Sequence, residues 1–344
     1  MSSLRAKWTP LAGSQAGKPL STALIRSSHG LAVASSAVYV FGGELQPRTP
    51  VDADLLKISL AAAWPAKRVG ASLVAAGDSL YLWGGRGGKS MGVFDADEED
   101  LWRFNTTGSQ TWEMLKTKGD KPEQRSFHVL SVSNDQKTLY LHAGCPPKGR
   151  LATLHSLDLA SLNWTSLASA PEPGRGGTNL APLPSSNLLA RFGGFAGYEL
   201  GGFDLYDPAK DSWESVDIAV EGGGEGPDKR SVASLQGVES GIEWNGKKVI
   251  ALLALGEREG APAELGHDGA GFFHDDAWAL LATTSTPTTY SWLKLEPSSS
   301  STVLPEARGW LPSASWGDKV VLQGGLNAKN ERLGDGWVLE VVQE

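Results

Sequence analysis

The sequence predicts an all-β fold, a six-bladed β-propeller, and two observations carry this prediction. One phrase occurs six times along the chain: an arginine, a β-rich stretch ending in two glycines, a second β-rich stretch and a tryptophan. The sixth copy lacks its tryptophan stretch, and a matching stretch from Lys7 to Leu11 stands near the N-terminus. Pairing that stretch with the last blade would remove an open sheet edge, so we expect the N-terminal strand to close the ring.

The copies divide one domain, residues 1–344, into blades. The blade starts are marked by Arg26, Arg68, Arg125, Arg175, Arg230 and Arg308. The glycine pairs, or their single-glycine equivalents, end at Gly43, Gly85, Gly144, Gly194, Gly256 and Gly325. The closing stretches contain Trp64, Trp112, Trp164, Trp213, Trp292 and, at the N-terminus, Trp8. A repeat architecture explains how 344 residues form a single domain.

The glycines and tryptophans of the phrase are expected to be structural. A glycine pair allows a strand to stop where another backbone comes close, since a Cβ would not fit there. Each tryptophan is expected to pack between neighbouring blades and to bury roughly 150–250 Å². The repeat therefore predicts the fold and says nothing about activity, because propellers host many functions.

Composition excludes several classes of function. The net charge of −8 argues against nucleic-acid binding, and no apolar run reaches the length of about 20 residues that spans a bilayer. The first residues lack the apolar stretch of a signal peptide, and Cys145 is the only cysteine. A reducing, cytoplasmic location is therefore expected, with a monomer or weak homodimer as the assembly. Two triplets of the glycosylation type, beginning at Asn105 and Asn163, are attributed to chance.

The repeat arginines are the first candidates for a binding site. Equivalent positions of a propeller lie on one ring, so all six could surround one mouth of the channel and attract an anion. Arg26, Arg68, Arg125 and Arg308 are predicted to bind the substrate. The alternative is that each arginine joins its blade to the next through backbone carbonyl groups.

The loops after the glycine pairs add further candidates. Arg86 directly follows one pair and Arg150 follows another in a short loop, so both should project from the same face. The glycine-rich loop of the fifth copy holds Glu257, Glu259 and His267, which could bind a divalent metal such as iron. A solvated loop without a metal is the alternative.

Several of these phrases resemble one family, the kelch proteins of the nitrile-specifier, epithiospecifier and thiocyanate-forming group. The resemblance runs from Trp8 to Trp337 and is strongest in four phrases: residues 26–30, 41–45, 125–128 and 308–310. The fifth-copy loop looks more like fungal relatives of the group than plant ones.

The resemblance implies a ferrous iron held by glutamate, aspartate and histidine. Glu257 or Glu259 matches the glutamate and His267 the histidine, but Ala263 stands where the aspartate is expected. Unless Glu264 or Asp268 replaces that ligand, iron binding should be weak or absent. The resemblance also implies that Arg86 and Arg150 act on the substrate and that Phe127 and Trp310 contact it.

The leading functional prediction is a lyase, isomerase or cyclase of specialised metabolism. Its substrate would be a small anionic molecule at the channel mouth, with Arg86, Arg150, Glu257, Glu259 and His267 as the catalytic set. The rival is a kelch adaptor that binds another protein across the same face without chemistry. A deep pocket lined by the arginines would favour the enzyme, and a large exposed apolar patch the adaptor.

Overall fold

The computed structural model describes residues 4–10, 24–34, 37–53, 55, 65–94, 100–107, 112–184, 186–262, 264, 269–286 and 288–344. Within these ranges the structure contains β-strands and no α-helix, which confirms the all-β prediction. In particular, these ranges contain no apolar helix that is long enough to cross a bilayer.

We number the repeat units 1 to 6 by their arginines, from Arg26 to Arg308. Strand β1 (Leu4–Pro10) precedes them. Unit 1 contains β2 (Gly30–Ala34), β3 (Ala37–Phe41), β4 (Glu44–Gln46) and β5 (Thr49–Pro50). Unit 2 contains β6 (Ser72–Ala76), β7 (Ser79–Trp83), β8 (Arg86–Gly87), β9 (Gly92–Val93), β10 (Leu101–Asn105) and β11 (Trp112–Leu115). Unit 3 contains β12 (Lys118–Gly119), β13 (Val129–Val132), β14 (Thr138–His142), β15 (Leu154–Asp158) and β16 (Asn163–Leu167).

The second half of the chain repeats the pattern. Unit 4 contains β17 (Asn179–Pro182), β18 (Leu189–Phe192), β19 (Phe203–Asp207) and β20 (Ser212–Ser215). Unit 5 contains β21 (Ala219–Val220), β22 (Ser234–Gly237), β23 (Glu243–Trp244), β24 (Lys247–Ala254), β25 (Glu257–Glu259), β26 (Phe272–Phe273), β27 (Ala277–Thr283) and β28 (Tyr290–Pro297). Unit 6 contains β29 (Arg308–Gly309), β30 (Ser313–Trp316), β31 (Lys319–Gln323), β32 (Leu326–Asn327) and β33 (Gly336–Gln343).

The units pack face to face because both sides of their central strands are apolar. Along β7, Leu80 and Leu82 lie in a core shared with unit 1, whereas Tyr81 and Trp83 lie in a core shared with unit 3. Successive side chains of a strand point to opposite faces, so one strand serves both neighbours. This explains why the β-rich stretches are continuous apolar runs and do not alternate with polar residues.

The outer-strand tryptophans lie between units, as predicted. Trp112 of unit 2 contacts Phe41 of unit 1 with ring centroids 5.5 Å apart, and Trp164 of unit 3 contacts Trp83 of unit 2 at 6.2 Å. Trp292 packs against Phe192 of unit 4 in the same way. Trp64 lies outside the described residues.

The N-terminal strand lies in the sheet of unit 6. It pairs antiparallel with β33 from Leu4 opposite Gln343 to Pro10 opposite Trp337, and the sheet order there is β30-β31-β33-β1. The other edge of β1 meets β28 of unit 5 in parallel, with Arg5 opposite Glu296. Leu11, the last residue of the predicted closing strand, lies outside the described residues.

The inner strands of the units surround a channel. In order they are β2, β6, β13, β17, β22 and β30, and each contacts the next; β30 in turn contacts β2. A cavity of about 310 Å³ lies between them and is lined by residues of all six strands.

Candidate functional site

The repeat arginines are buried inside their own units. In every unit the guanidinium Nη1 donates a hydrogen bond to the first carbonyl of the glycine pair or its equivalent: Arg26 to Gly42, Arg68 to Gly84, Arg125 to Ala143, Arg175 to Gly193, Arg230 to Leu255 and Arg308 to Gly324, at 2.9 to 3.2 Å. Asp52, Asp276 and Asp335 form additional ion pairs with the arginines of units 1, 5 and 6.

The backbone carbonyls of the arginines of units 2 to 6 each accept a hydrogen bond from the preceding unit. The N–H of Gly43 donates to the carbonyl of Arg68, and the N–H of Gly256 donates to that of Arg308. Gly42, which precedes Gly43, has a φ of +70°. A Cβ on Gly42 would lie 2.7 Å from the Arg68 carbonyl oxygen. Glycine therefore lets neighbouring units approach closely enough to form this bond.

These contacts correct the predicted substrate-binding role of four arginines. The residues Arg26, Arg68, Arg125 and Arg308 are each at most 2% exposed. A guanidinium that is buried and hydrogen-bonded to carbonyl groups cannot also meet a ligand from solvent. The structural alternative, in which the arginines join the units, is the one observed.

Two residues after each arginine, the chain forms a collar around the channel. Its members are Ser28, Gly70, Phe127, Gly177, Val232 and Trp310, all with φ between +45° and +63°. Each N–H donates to the carbonyl of the preceding member, and Ser28 donates to Trp310, so the hydrogen bonds form a closed cycle with distances of 2.7 to 3.3 Å. This left-handed backbone region favours glycine, yet four of the six members carry a side chain.

The collar carries two aromatic rings that meet each other. Phe127 of unit 3 and Trp310 of unit 6 are in edge-to-face contact, with centroids 5.5 Å apart and planes at 85°. Gly70 lies beside them, and a Cβ there would be 2.8 Å from Phe127 Cε1. The predicted aromatic contacts of the substrate therefore lie together at the channel entrance.

A second ring of residues lies on the side of the collar away from the channel cavity. We call it the mouth; its members directly follow the glycine pairs and are Glu44, Arg86, Cys145, Phe195, Glu257 and Leu326. Each pairs with the residue that precedes a collar member, for example Arg86 with Val69 and Glu257 with Ser231. Arg86 and Arg150 do not line the 310 Å³ cavity, whereas Phe127 and Trp310 do. The collar thus lies between the channel and the two arginines that were predicted to act on the substrate.

A row of contacts crosses the mouth. The Arg86 Cζ lies 5.6 Å from the centroid of the Phe127 ring, and its Nε donates to Ser126 Oγ at 2.8 Å. Phe127 contacts Trp310, whose Nε1 donates to Glu257 Oε2 at 2.8 Å. The row therefore has a cation at one end, a carboxyl group at the other and two aromatic rings between them.

Arg86 and Arg150 lie on the same side of the mouth, near Cys145. Arg150 is exposed and its Cζ lies 4.7 Å from the Phe195 centroid. Burial lowers the pKa of half-buried Arg86, which remains a cation. Burial raises the pKa of the Cys145 thiol, and Arg150 and Arg86 oppose this increase. Cys145 is therefore a neutral thiol between two cations.

The carboxyl groups of Glu257 and Glu199 lie at the other end of the row. Burial, followed by the nearby Glu199, raises the pKa of Glu257 to about 8. Burial likewise raises the pKa of Glu199 to about 7, and the Ser231 hydroxyl opposes this. Because two adjacent carboxylates repel, the loss of one proton makes loss of the second harder. This end of the mouth can therefore hold and exchange a proton near neutral pH.

The predicted iron ligands do not come together among the described residues. Glu257 is at the mouth and hydrogen-bonded to Trp310, whereas the Glu259 side chain is exposed. A β-bulge between them disrupts the register of β25 with β26. His267, Ala263 and Asp268 lie outside the described residues, and the described ones contain no group of three metal-ligating side chains. Iron binding therefore stays a prediction, and we derive no chemistry from a ferrous ion.

Sequence reasoning missed Glu199. It stands in the loop after the fourth glycine pair and forms a β-bridge with Phe195. Its position in a post-glycine loop, the same criterion that selected Arg150, could have identified it. Its proximity to Glu257 depends on the packing of units 4 and 5.

Comparison with known proteins identifies the family. The model of the KLHDC2/KLHL20/DRC7 Kelch-repeats domain matches residues 28–242. The chain belongs to the kelch-repeat family. This kelch protein is also 30% identical to N-(sulfonatooxy)prop-2-enimidothioate sulfolyase of Thlaspi arvense, over 89% of this chain and 90% of the relative. The predicted specifier-type resemblance is thereby supported, while a fungal affinity stays a prediction.

Two further similarities are more limited. The kelch protein is 29% identical to Kelch domain-containing protein 2 of Homo sapiens, over 40% of this chain and 35% of that protein. The solved structure of YjhT covers 96% of this chain and 99% of its own, with a TM-score of 0.64 and 17% identity. At that identity the match shows a shared fold alone.

Proposed function

We propose that this kelch protein is an enzyme of the lyase or isomerase type that transforms a small anionic molecule at the mouth. The row from Arg86 through Phe127 and Trp310 to Glu257 carries the proposal, because it combines an anion-binding group, apolar walls and a proton-exchanging group. Similarity to a sulfolyase over nearly the whole chain supports the same class.

Each part of the row has a role in such a reaction. Arg86 and the exposed Arg150 would hold an anionic leaving group as it departs with the electron pair of the broken bond. Phe127 and Trp310 would provide the apolar surface on which the rest of the substrate lies. Glu257 would accept the proton that the substrate loses, or return it in an isomerisation, with Trp310 Nε1 holding its Oε2 in place.

The proposal includes a six-bladed ring closed by the N-terminal strand. The cyclic contacts of the inner strands, the hydrogen-bond cycle of the collar and the pairing of β1 with β33 support it. A closed ring matters for the site because the row joins units 2, 3, 5 and 6. Their relative positions are fixed only if no unit can splay away.

The test uses the substrate named for the relative, N-(sulfonatooxy)prop-2-enimidothioate, and measures release of sulfate. Arg86→Ala should lower turnover roughly a hundredfold, the usual effect of removing one preorganised charge-stabilising donor. Arg103→Ala, which removes an outer arginine of the same unit paired with Glu113, should leave turnover unchanged. Equal turnover in wild type and Arg86→Ala, both folded, would remove the main support for the enzyme.

A protein-binding function is the second candidate, and one observation favours it. Three large apolar side chains are exposed on loops that follow glycine pairs: Leu45, Tyr198 and Phe272, at 47% to 60% exposure. Arg258 lies over the Phe272 ring, and aromatic residues with arginine are typical of interface hot spots. Partner binding that is lost in Tyr198→Ala and kept in Arg86→Ala would favour an adaptor. The cytoplasmic location and the monomeric or weakly dimeric state stay predictions.

A further inference from the structure

Glu199 is a buried carboxyl group without a hydrogen-bond partner among the described residues. Glu199 is 8% exposed, and neither of its carboxyl oxygens accepts a hydrogen bond of normal geometry. The Ser231 hydroxyl is close enough to influence its pKa. A buried carboxylate that lacks both partner and solvent is unfavourable, so a ligand group that pairs with it would be strongly favoured.

Glu257 adds a second carboxyl group at the same place. Its Oε2 accepts from Trp310 Nε1, and its carboxylate also accepts from the backbone N–H of Gly271. Among the described residues, none of the groups that lower the pKa of Glu199 or Glu257 is a cation. Two buried carboxyls beside an aromatic ring form the type of environment that binds an organic ammonium group.

The arginine end of the row completes the argument. Arg86 lies beside Phe127, and Phe127 contacts Trp310, which is bonded to Glu257. An elongated molecule over the two aromatic rings would place one end at Arg86 and the other at the two carboxyl groups. Opposite charges at its ends would complement both.

We infer that Glu199 and Glu257 form a subsite for the ammonium group of a small molecule whose anionic end lies at Arg86. The inference rests on the proposed function, since it places the ligand in the same mouth, and it adds amine-bearing organic acids as a class of substrate that this site would take. Glu199 and Glu257 are both binding residues in this scheme.

The test measures binding of three probes to the full chain by calorimetry: 6-aminohexanoate, hexylamine and hexanoate. 6-Aminohexanoate should bind more tightly than either single-charge probe. Glu199→Gln should weaken 6-aminohexanoate and hexylamine about tenfold or more, the effect of losing one charged hydrogen bond, and leave hexanoate unchanged. Arg86→Gln should weaken 6-aminohexanoate and hexanoate and leave hexylamine unchanged. Glu214→Gln, which removes an exposed carboxyl on β20 of the same unit as Glu199, is the matched control and should change nothing.

Two results would overturn the inference. The first is that wild type and a folded Glu199→Gln do not differ in their binding of hexylamine, whether both bind it or neither does. If Glu199→Gln does not fold, Glu257→Gln takes its place in this comparison. The other is stoichiometric binding of Mn²⁺ that Glu199→Gln abolishes while hexylamine has no effect, which would make the pair a metal site. Both are distinguishable from failure of the proposed function, which would appear as sulfate release that does not depend on Arg86.

Discussion

Replacing Glu257 by glutamine should change how the stability of the protein depends on pH. The pKa of Glu257 rises from 4.5 to about 8 in the folded protein, chiefly because the carboxyl is buried. A carboxyl with a raised folded-state pKa leaves stability intact below its unfolded pKa and reduces it as pH rises through the folded value. Wild type should therefore lose stability between about pH 4.5 and about pH 8.

The size of the effect follows from the same values. Each pKa unit corresponds to about 1.4 kcal/mol, so ionising Glu257 destabilises the folded state by about 5 kcal/mol in total. Between about pH 5.5 and about pH 8.5, roughly 3 kcal/mol of this should be lost in wild type and retained in Glu257→Gln. Glu199, whose pKa is raised to about 7, acts in the same direction in both proteins.

Urea denaturation at a series of pH values measures this difference. The comparison uses the gap between the two stability curves, because every other ionisable group contributes to both. Glu259→Gln, which removes an exposed carboxyl two residues away, should reproduce the wild-type curve. If the wild-type and Glu257→Gln curves run parallel from acid to alkaline pH, Glu257 is not a buried carboxyl and its proposed role in proton exchange fails.

Three other predictions concern the frame and the metal. Arg308→Met should destabilise the protein by about 3–5 kcal/mol, because Asp335, which is 5% exposed, loses its ion pair. Adding Asp335→Asn should restore part of that stability. A thermal midpoint of Arg308→Met equal to that of wild type would contradict a packing role for Arg308. Deleting residues 1–12 should lower the midpoint of the whole chain, because β1 pairs with β33 on one side and β28 on the other and buries Trp8. If the truncated protein melts like the intact one, β1 is dispensable. The protein should bind iron weakly or not at all, and Ala263→Asp should raise the iron affinity measured in a titration. Tight iron binding by the wild type that is lost in His267→Ala would show that another carboxylate replaces the missing aspartate ligand.

The repeat made the fold accessible from the sequence. Six copies, each with a glycine pair or its single-glycine equivalent, predicted sheets of similar construction, and the missing last stretch pointed to the N-terminal strand. The β-rich stretch of each copy, for example residues 79–83, predicted its strands. These features are local, because each depends on residues within one copy and recurs in the next.

The directions of the side chains were not accessible in the same way. Equivalent positions share a ring, but the sequence did not show that the arginine turns into its own unit while the residue two places later faces the channel. That distinction arises from the left-handed backbone at positions such as Phe127 and Trp310, and from hydrogen bonds between units. The proximity of Glu199 and Glu257, which are far apart in the chain, likewise exists only because units 4 and 5 pack side by side.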